Sequence, residues 1–245
     1  MKASFYILLV SASIIAASQV STSAHTLVKI VKTKKLSGEE RNVSGFRGVS
    51  SSGSYNVKIT MGSKESLRLE GDEDVIKEIE TVVEDGILKI KNKKHYDRTW
   101  RSSKGKVTIY ITAKALNNIT LSGSGNINID GLVKASRLTN TLSGSGSISL
   151  SAAAEEYIGT ISGSGEITVN GKADKADIKI GGSGNFRGRN FKAEEADIKV
   201  SGSGNVSINA EDTLNAVVSG SGDIQYGGNP KVSKTKSGSG NISKL

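Results

Sequence analysis

Few side chains in this 245-residue chain could do chemistry, and most of them lie close together. The histidines are His25 and His95, and His95 stands in the run Lys93-Lys94-His95-Tyr96-Asp97-Arg98. A His95/Asp97 pair would make half of a base relay, with the acid orienting the imidazole. No Gly-x-Ser-x-Gly elbow accompanies it to supply a nucleophile. Cysteine is absent, which removes disulfides and thiolate metal sites. Asp72-Glu73-Asp74 gathers three carboxylates but lacks the spaced ligands and central glycine of a calcium loop, so it reads as a helix cap. Gly181-Gly182-Ser183-Gly184-Asn185-Phe186 approaches a calcium-binding nonapeptide and places Phe where the ligand Asp should stand. The same glycines miss the dinucleotide spacing and open no helix. No catalytic residue, metal or cofactor is expected.

Charge is the stronger signal. Lysine and arginine number 33 against 24 acids, a net of +9, and the excess falls in the N-terminal half. It concentrates at Lys89, Lys91, Lys93, Lys94, Arg98, Arg101, Lys104 and Lys106, interleaved with Tyr96 and Trp100. Lys93, Lys94, Tyr96, Arg98, Trp100 and Arg101 are therefore the expected binding residues. In a cytoplasmic chain this mixture would suit nucleic acid. Residues 1–24 point elsewhere. Lys2, the apolar stretch around Phe5 to Val10 and Ile14 to Ala17, and the small residues before Ser18 or Ala24 form a secretory signal with two cleavage points. No later apolar run reaches the length of a spanning helix. The chain is expected to be exported to the periplasm, the outer cell surface or the medium. Its expected partner is an anionic glycan, lipopolysaccharide or an envelope protein, not nucleic acid.

The elements that must position these residues come from a repeat. Ser-Gly-Ser-Gly, or a one-residue variant, begins at Ser122, Ser143, Ser162, Gly181, Ser201, Ser219 and Ser237. After each motif apolar and polar residues alternate, as in Ile127/Ile129, Ile148/Leu150, Ile167/Val169, Val206/Ile208 and Ile224/Tyr226. Leu121, Leu142, Ile161, Ile180, Val200 and Val218 sit just before it. A flexible linker would not carry apolar residues at fixed offsets. A unit of about 19 residues cannot bury its apolar face alone. Stacked copies with parallel strands solve the problem, each reading as strand, glycine corner, strand and loop. The residue after each motif is Asn126, Ser147, Glu166, Asn185, Asn205, Asp223 or Asn241, a polar ladder of the kind that steadies stacked strands.

Residues 40–118 read differently, as an irregular β cap on solenoid repeats spanning 119–245. Asn56 to Thr60, Leu67 to Glu70 and Val107 to Ile111 alternate like strands, and Asp85-Gly86 marks a hairpin between Thr81 to Val83 and Ile87 to Ile90. Asp74 with Val75, Ile76, Ile79 and Val82 predicts a short helix behind an Asp cap. Lys244 at an otherwise apolar position predicts a charged terminal edge.

The runs Phe46 to Val49, Tyr55 to Gly62, Glu70 to Asp72, Val83 to Ile90 and Ile119 to Asn126 resemble the GIN domain, described as an autotransporter adhesin head. The resemblance covers about residues 40–243. It implies an exported bacterial protein with an all-β, right-handed parallel β-helix-like fold, and it brings no catalytic residues. The reading that results is an exported, non-enzymatic β-solenoid acting as a cell-surface or envelope interaction module. The alternatives are a structural envelope protein that binds protein partners by strand addition, or a polysaccharide-processing β-helix enzyme.

Overall fold

The computed structural model describes residues 36–93 and 106–245. In chain order its strands are β1 (Leu36–Arg41), β2 (Gly48–Ser52), β3 (Asn56–Met61), β4 (Ser66–Asp72), β5 (Ile79–Glu84), β6 (Ile87–Asn92), β7 (Val107–Ala113), β8 (Asn118–Gly123), β9 (Asn126–Gly144), β10 (Ser147–Gly163), β11 (Glu166–Gly182), β12 (Asn185–Gly202), β13 (Asn205–Gly220), β14 (Ile224–Gly227), β15 (Lys231–Ser237) and β16 (Ile242–Lys244). Helix α1 (Glu73–Glu78) joins β4 to β5.

The repeats stack as a parallel β-solenoid. In the register of β9 to β13, Asn126, Ser147, Glu166, Asn185 and Asn205 stand side by side. Each repeat is one bent strand that runs from one glycine corner to the next, not two short strands and a loop. The corner explains the continuity. The Ser164 N–H donates to the Gly144 carbonyl at 3.0 Å and the Glu166 N–H to the Gly146 carbonyl at 3.0 Å, so the ladder carries on through the bend. Glycine is needed there because Gly163 has φ +119° and an added Cβ would lie 2.6 Å from the Gly144 oxygen. The expected polar ladder forms beside the corners. Ser147 Oγ donates to Asn126 Oδ1 at 2.8 Å, and Asn205 Nδ2 to Asn185 Oδ1 at 3.0 Å.

The inward half of each alternation fills one continuous core. Ile127, Ile148, Ile167, Phe186 and Val206 are aligned and buried. Bulk is balanced between coils, since Tyr157 lies between Leu138 and Ala176, with Gly159 two residues along. Tyr157 packs at 5.0 Å between ring centroids on Phe191, and its hydroxyl accepts from Asn140 Nδ2 at 2.9 Å. Burial pushes the Tyr157 hydroxyl far above an ordinary phenol pKa, the Asn140 hydrogen bond opposing it only in part.

The N-terminal cap is narrower than residues 40–118. There, β2 pairs in parallel with β8 and β6, while β3 pairs in parallel with β9 and β7. These strands are coils of the same stack. Antiparallel pairing is confined to this end, where β1 pairs with β4, β4 with β7 and β5 with β6, with α1 between β4 and β5. The Asp85-Gly86 turn joins β5 to β6 with φ of 53° and 72°, as a type I′ turn requires. The helix cap is Asp72, whose side chain accepts from the Asp74 N–H at 3.1 Å. The helix ends at Glu78, so Ile79 and Val82 belong to β5.

At the opposite end the core positions change character. Lys234 and Lys236 of β15 align with the buried Ala216 and Val218 of β13. Lys234 Nζ reaches the Ile242 carbonyl at 3.0 Å and lies 5.2 Å from the Tyr226 ring centroid. Cations at core positions make this edge a poor template for a further strand.

Candidate functional site

Outward side chains of successive coils align into rows on the face opposite the core. One row begins at Glu40 of β1 and passes through Arg68 of β4, Tyr110 of β7 and Lys58 of β3 to Asn128 of β9. It continues through Ser149 and Thr168 to Arg187, then to Ser207 and Gln225. The solenoid thus presents a continuous polar face along its length.

At the N-terminal end of this face lies a groove of about 850 Å³ with five basic side chains, Arg41, Lys58, Lys64, Arg68 and Lys114, against Glu40 and Glu65. Tyr110, 37% exposed, stands at its centre with Lys58 Nζ 5.6 Å from the ring centroid. Two of the cations are partly occupied. Arg41 reaches across the end of the stack to the Ile79 carbonyl at 2.7 Å and the Ile76 carbonyl at 3.1 Å, and Arg68 pairs with Glu70 at 2.6 Å. Among the described residues, Lys58, Lys64 and Lys114 form no ion pair. Ser66 Oγ and Thr112 Oγ1, 2.9 Å apart, add neutral hydrogen-bonding groups to the wall. The result is a shallow site with ammonium groups that lack ion pairs among the described residues, hydroxyls and one partly exposed aromatic ring.

Most of the expected site lies outside the described residues. Lys94, Tyr96, Arg98, Trp100 and Arg101 lie outside the described residues, as do His95, Asp97 and the signal segment. Lys93 is described. Its N–H donates to the Glu78 carbonyl at 2.9 Å and its ammonium group to the Lys77 carbonyl. In chain order the segment after it connects β6 to β7. Lys106, where the described chain resumes, lines a smaller concavity with Arg68 beside the basic groove.

Part of the charge concentration near Lys93 is cancelled within the fold. Lys89 pairs with Glu84 at 2.7 Å and Lys91 with Glu80 at 3.6 Å across the β5–β6 hairpin. The Lys89 contact lowers the Glu84 pKa and raises that of Lys89. Sequence reasoning missed the groove because its cations are scattered from Arg41 to Lys114. The alternation Lys58-x-Thr60 and Tyr110-x-Thr112 does mark these side chains as outward.

A second concavity of about 720 Å³ lies further along the same face, over β11 to β14, and its lining is rich in side-chain amides. Among the described residues no three His, Asp or Glu side chains gather as a metal site, and no helix is long and apolar enough to cross a membrane.

The comparisons with known proteins agree with this architecture. No functionally curated protein matches the sequence. A crystal structure described as a putative adhesin from Bacteroides fragilis superposes with a TM-score of 0.78 at 26% identity, over 87% of this chain and 98% of the other. One from Parabacteroides distasonis, described as a putative lipid binding protein, gives 0.71 at 28% identity over 86% and 96%. Another putative adhesin from the same species gives 0.69 at 21% identity over 86% and 97%, a likeness of fold alone. The sequence model described as "Putative auto-transporter adhesin, head GIN domain" matches residues 45–230, and with the solenoid and its glycine corners this places the chain in the GIN domain family.

Proposed function

We propose that the chain is an exported, non-enzymatic adhesion module that holds an anionic glycan, the acidic polysaccharide or lipopolysaccharide class, against the basic end of its polar face. The observation that carries this reading is the groove lined by Lys58, Lys64 and Lys114, which form no ion pair among the described residues, together with the partly exposed ring of Tyr110. Ammonium groups without a carboxylate partner among the described residues attract carboxylates, sulfates or phosphates, and a partly exposed aromatic ring can stack against a sugar ring. The family and the structural neighbours named as adhesins support a surface role. A rigid stack is a suitable carrier for such a site, because Lys58, Arg68 and Tyr110 sit on strands paired on both sides. Lys93, Lys94, Tyr96, Arg98, Trp100 and Arg101, from the segment between β6 and β7, are proposed as further contacts for the same ligand.

The test is binding of the purified chain to arrayed acidic glycans and lipopolysaccharides at two salt concentrations. It runs beside a Lys58→Ser/Lys64→Ser/Lys114→Ser variant and a Lys93→Ser/Lys94→Ser/Arg98→Ser/Arg101→Ser variant. The neighbour named for lipid binding makes a lipid A arm informative. Salt-sensitive binding weakened by the first variant assigns the groove, and further loss in the second adds the connecting segment. Absence of binding in the unaltered chain refutes the reading.

A further inference from the structure

The geometry points to a second saccharide site on the same face, centred on the bulged coil β12 and selective for an uncharged glycan. It stands independently of the anionic-glycan reading. Coil β12 is longer than its neighbour β13, and the register slips between Gly188 and Lys192, where β13 advances only from Ile208 to Asn209. The excess residues, Arg189, Asn190 and Phe191, form a bulge. Phe191 anchors it by turning fully into the core against Tyr157. Asn209 Nδ2 fixes its backbone by donating to the Arg189 carbonyl at 2.7 Å. Arg189 and Asn190 stay exposed and form one wall of the 720 Å³ groove.

The chemistry of this groove differs from that of the basic end. Five of its lining side chains are amides, Asn170, Asn185, Asn190, Asn205 and Gln225. An amide offers donors and acceptors together, which is what vicinal hydroxyls of a sugar require. The ladder uses only part of that capacity. Asn205 donates to Asn185 and accepts from the Asp223 N–H at 3.2 Å, while Gln225 Oε1 accepts from Arg189 Nη2 at 3.2 Å. The Asn170 and Asn190 side chains form no hydrogen bond among the described residues, and the Gln225 NH₂ group is likewise unspent. Charge is close to balanced, since Arg187 is paired with Glu166 at 2.7 Å and Asp223 offsets Arg189.

The bordering apolar residues, Phe186 and Val206, are buried in the core, so the groove offers no anchor for the side chains of a peptide. Asn185 and Asn205 stand in register on adjacent coils, about 4.8 Å apart, close to the advance of one ring along an extended saccharide, and Asn170, Asn190 and Gln225 add amides on either side of that pair. Lys58 and Arg187 are four strand spacings apart in the common row, about 19 Å. The two sites are therefore separate.

The experiment titrates the purified chain with neutral hexasaccharides of β-1,4-glucan, β-1,4-mannan and β-1,4-galactan, followed by amide chemical shifts and calorimetry at low and high salt. Binding of at least one, insensitive to salt, is expected. Asn170→Ala/Arg189→Ala should weaken it by about tenfold or more. Gln225→Ala, a substitution at one position of an exposed face, provides a milder second variant should the first fail to fold by circular dichroism. The Lys58→Ser/Lys64→Ser/Lys114→Ser variant should bind the neutral sugar unchanged. Failure of all three sugars, indifference to both groove variants, or loss in the lysine variant would overturn this site. Retained neutral binding with no anionic binding would overturn the proposed function and leave this site standing.

Discussion

Replacing Gly163 with alanine tests the view that the stack is held by backbone packed on backbone at the corners. Gly163 adopts φ +119°, where an L residue is strained by about 1–3 kcal/mol. Its new Cβ would lie 2.6 Å from the Gly144 oxygen and 3.2 Å from the Gly144 nitrogen and carbonyl carbon. Relief requires the coils to part where Ser164 N–H meets the Gly144 carbonyl at 3.0 Å, which forfeits about 1 kcal/mol more. The sum is about 3 kcal/mol. For a chain of this size that corresponds to a fall in Tm of about 6–12 °C.

The neighbouring motif supplies the control. Gly181 stands in register with Ser162 and Ser201, and an added Cβ there meets nothing within 4 Å. Gly181→Ser should be neutral or slightly stabilising, because serine restricts the unfolded chain more than glycine does. Urea and thermal unfolding followed by far-ultraviolet circular dichroism reads both variants. A Gly163→Ala variant within about 0.5 kcal/mol of the parent, or an equal loss in Gly181→Ser, would refute the corner argument.

Tyr157→Phe should cost about 1–3 kcal/mol in the same assay, since Asn140 Nδ2 loses its partner and Asn140 Oδ1 has none among the described residues. The Tyr157 contribution is fully present below pH about 10, the ordinary tyrosine value, and is lost as pH rises toward the raised native one. The parent should therefore lose stability with pH above about 10 more steeply than the Phe variant, and parallel curves would refute this. Ser51 is fully buried with no partner for its hydroxyl among the described residues, so Ser51→Ala should be neutral or stabilising by up to about 1 kcal/mol, and a large loss would show a hidden hydrogen bond. Lys234→Val/Lys236→Val removes the cations from core positions of β15, and light scattering should then show concentration-dependent association through that edge. A variant that stays at the parent's mass would show that the lysines do not guard it.

The repeats are legible in the sequence because two periods coincide in them. The alternation after each motif fixes which side chains face inward, and the motif spacing fixes which of them align, so Ile127, Ile148 and Ile167 stack as their offsets from the glycines require. The strand count per repeat is not legible. A corner that keeps its hydrogen bonds reads in sequence like a break, because serine and glycine also signal a loop. The N-terminal half is harder for a different reason. Its β2–β3 coil stacks on β8 and the start of β9, but β4 to β7 intervene in sequence, and β6 and β7 pair with it on its other side. Sequence spacing gives no hint of that excursion, so strands belonging to the stack look like an irregular cap.

The same excursion decides which charges are available to a ligand. Counting cations along the chain favours residues 89–106, yet Lys89 and Lys91 are paired by Glu84 and Glu80, which precede them by a hairpin turn. Lys58 and Tyr110 are remote in sequence and adjacent in the sheet because β3 and β7 pair in parallel. Arg68 reaches the same row through an antiparallel pairing of β4 with β7. A binding site on a solenoid face is written across coils, one side chain per strand, so its residues are separated by whole turns of chain. Local clustering of charge in such a sequence reports a hairpin's cross-strand pairs as readily as a ligand site. The discriminating property is whether each cation retains a carboxylate in the next strand, and at Lys58, Lys64 and Lys114 none does among the described residues.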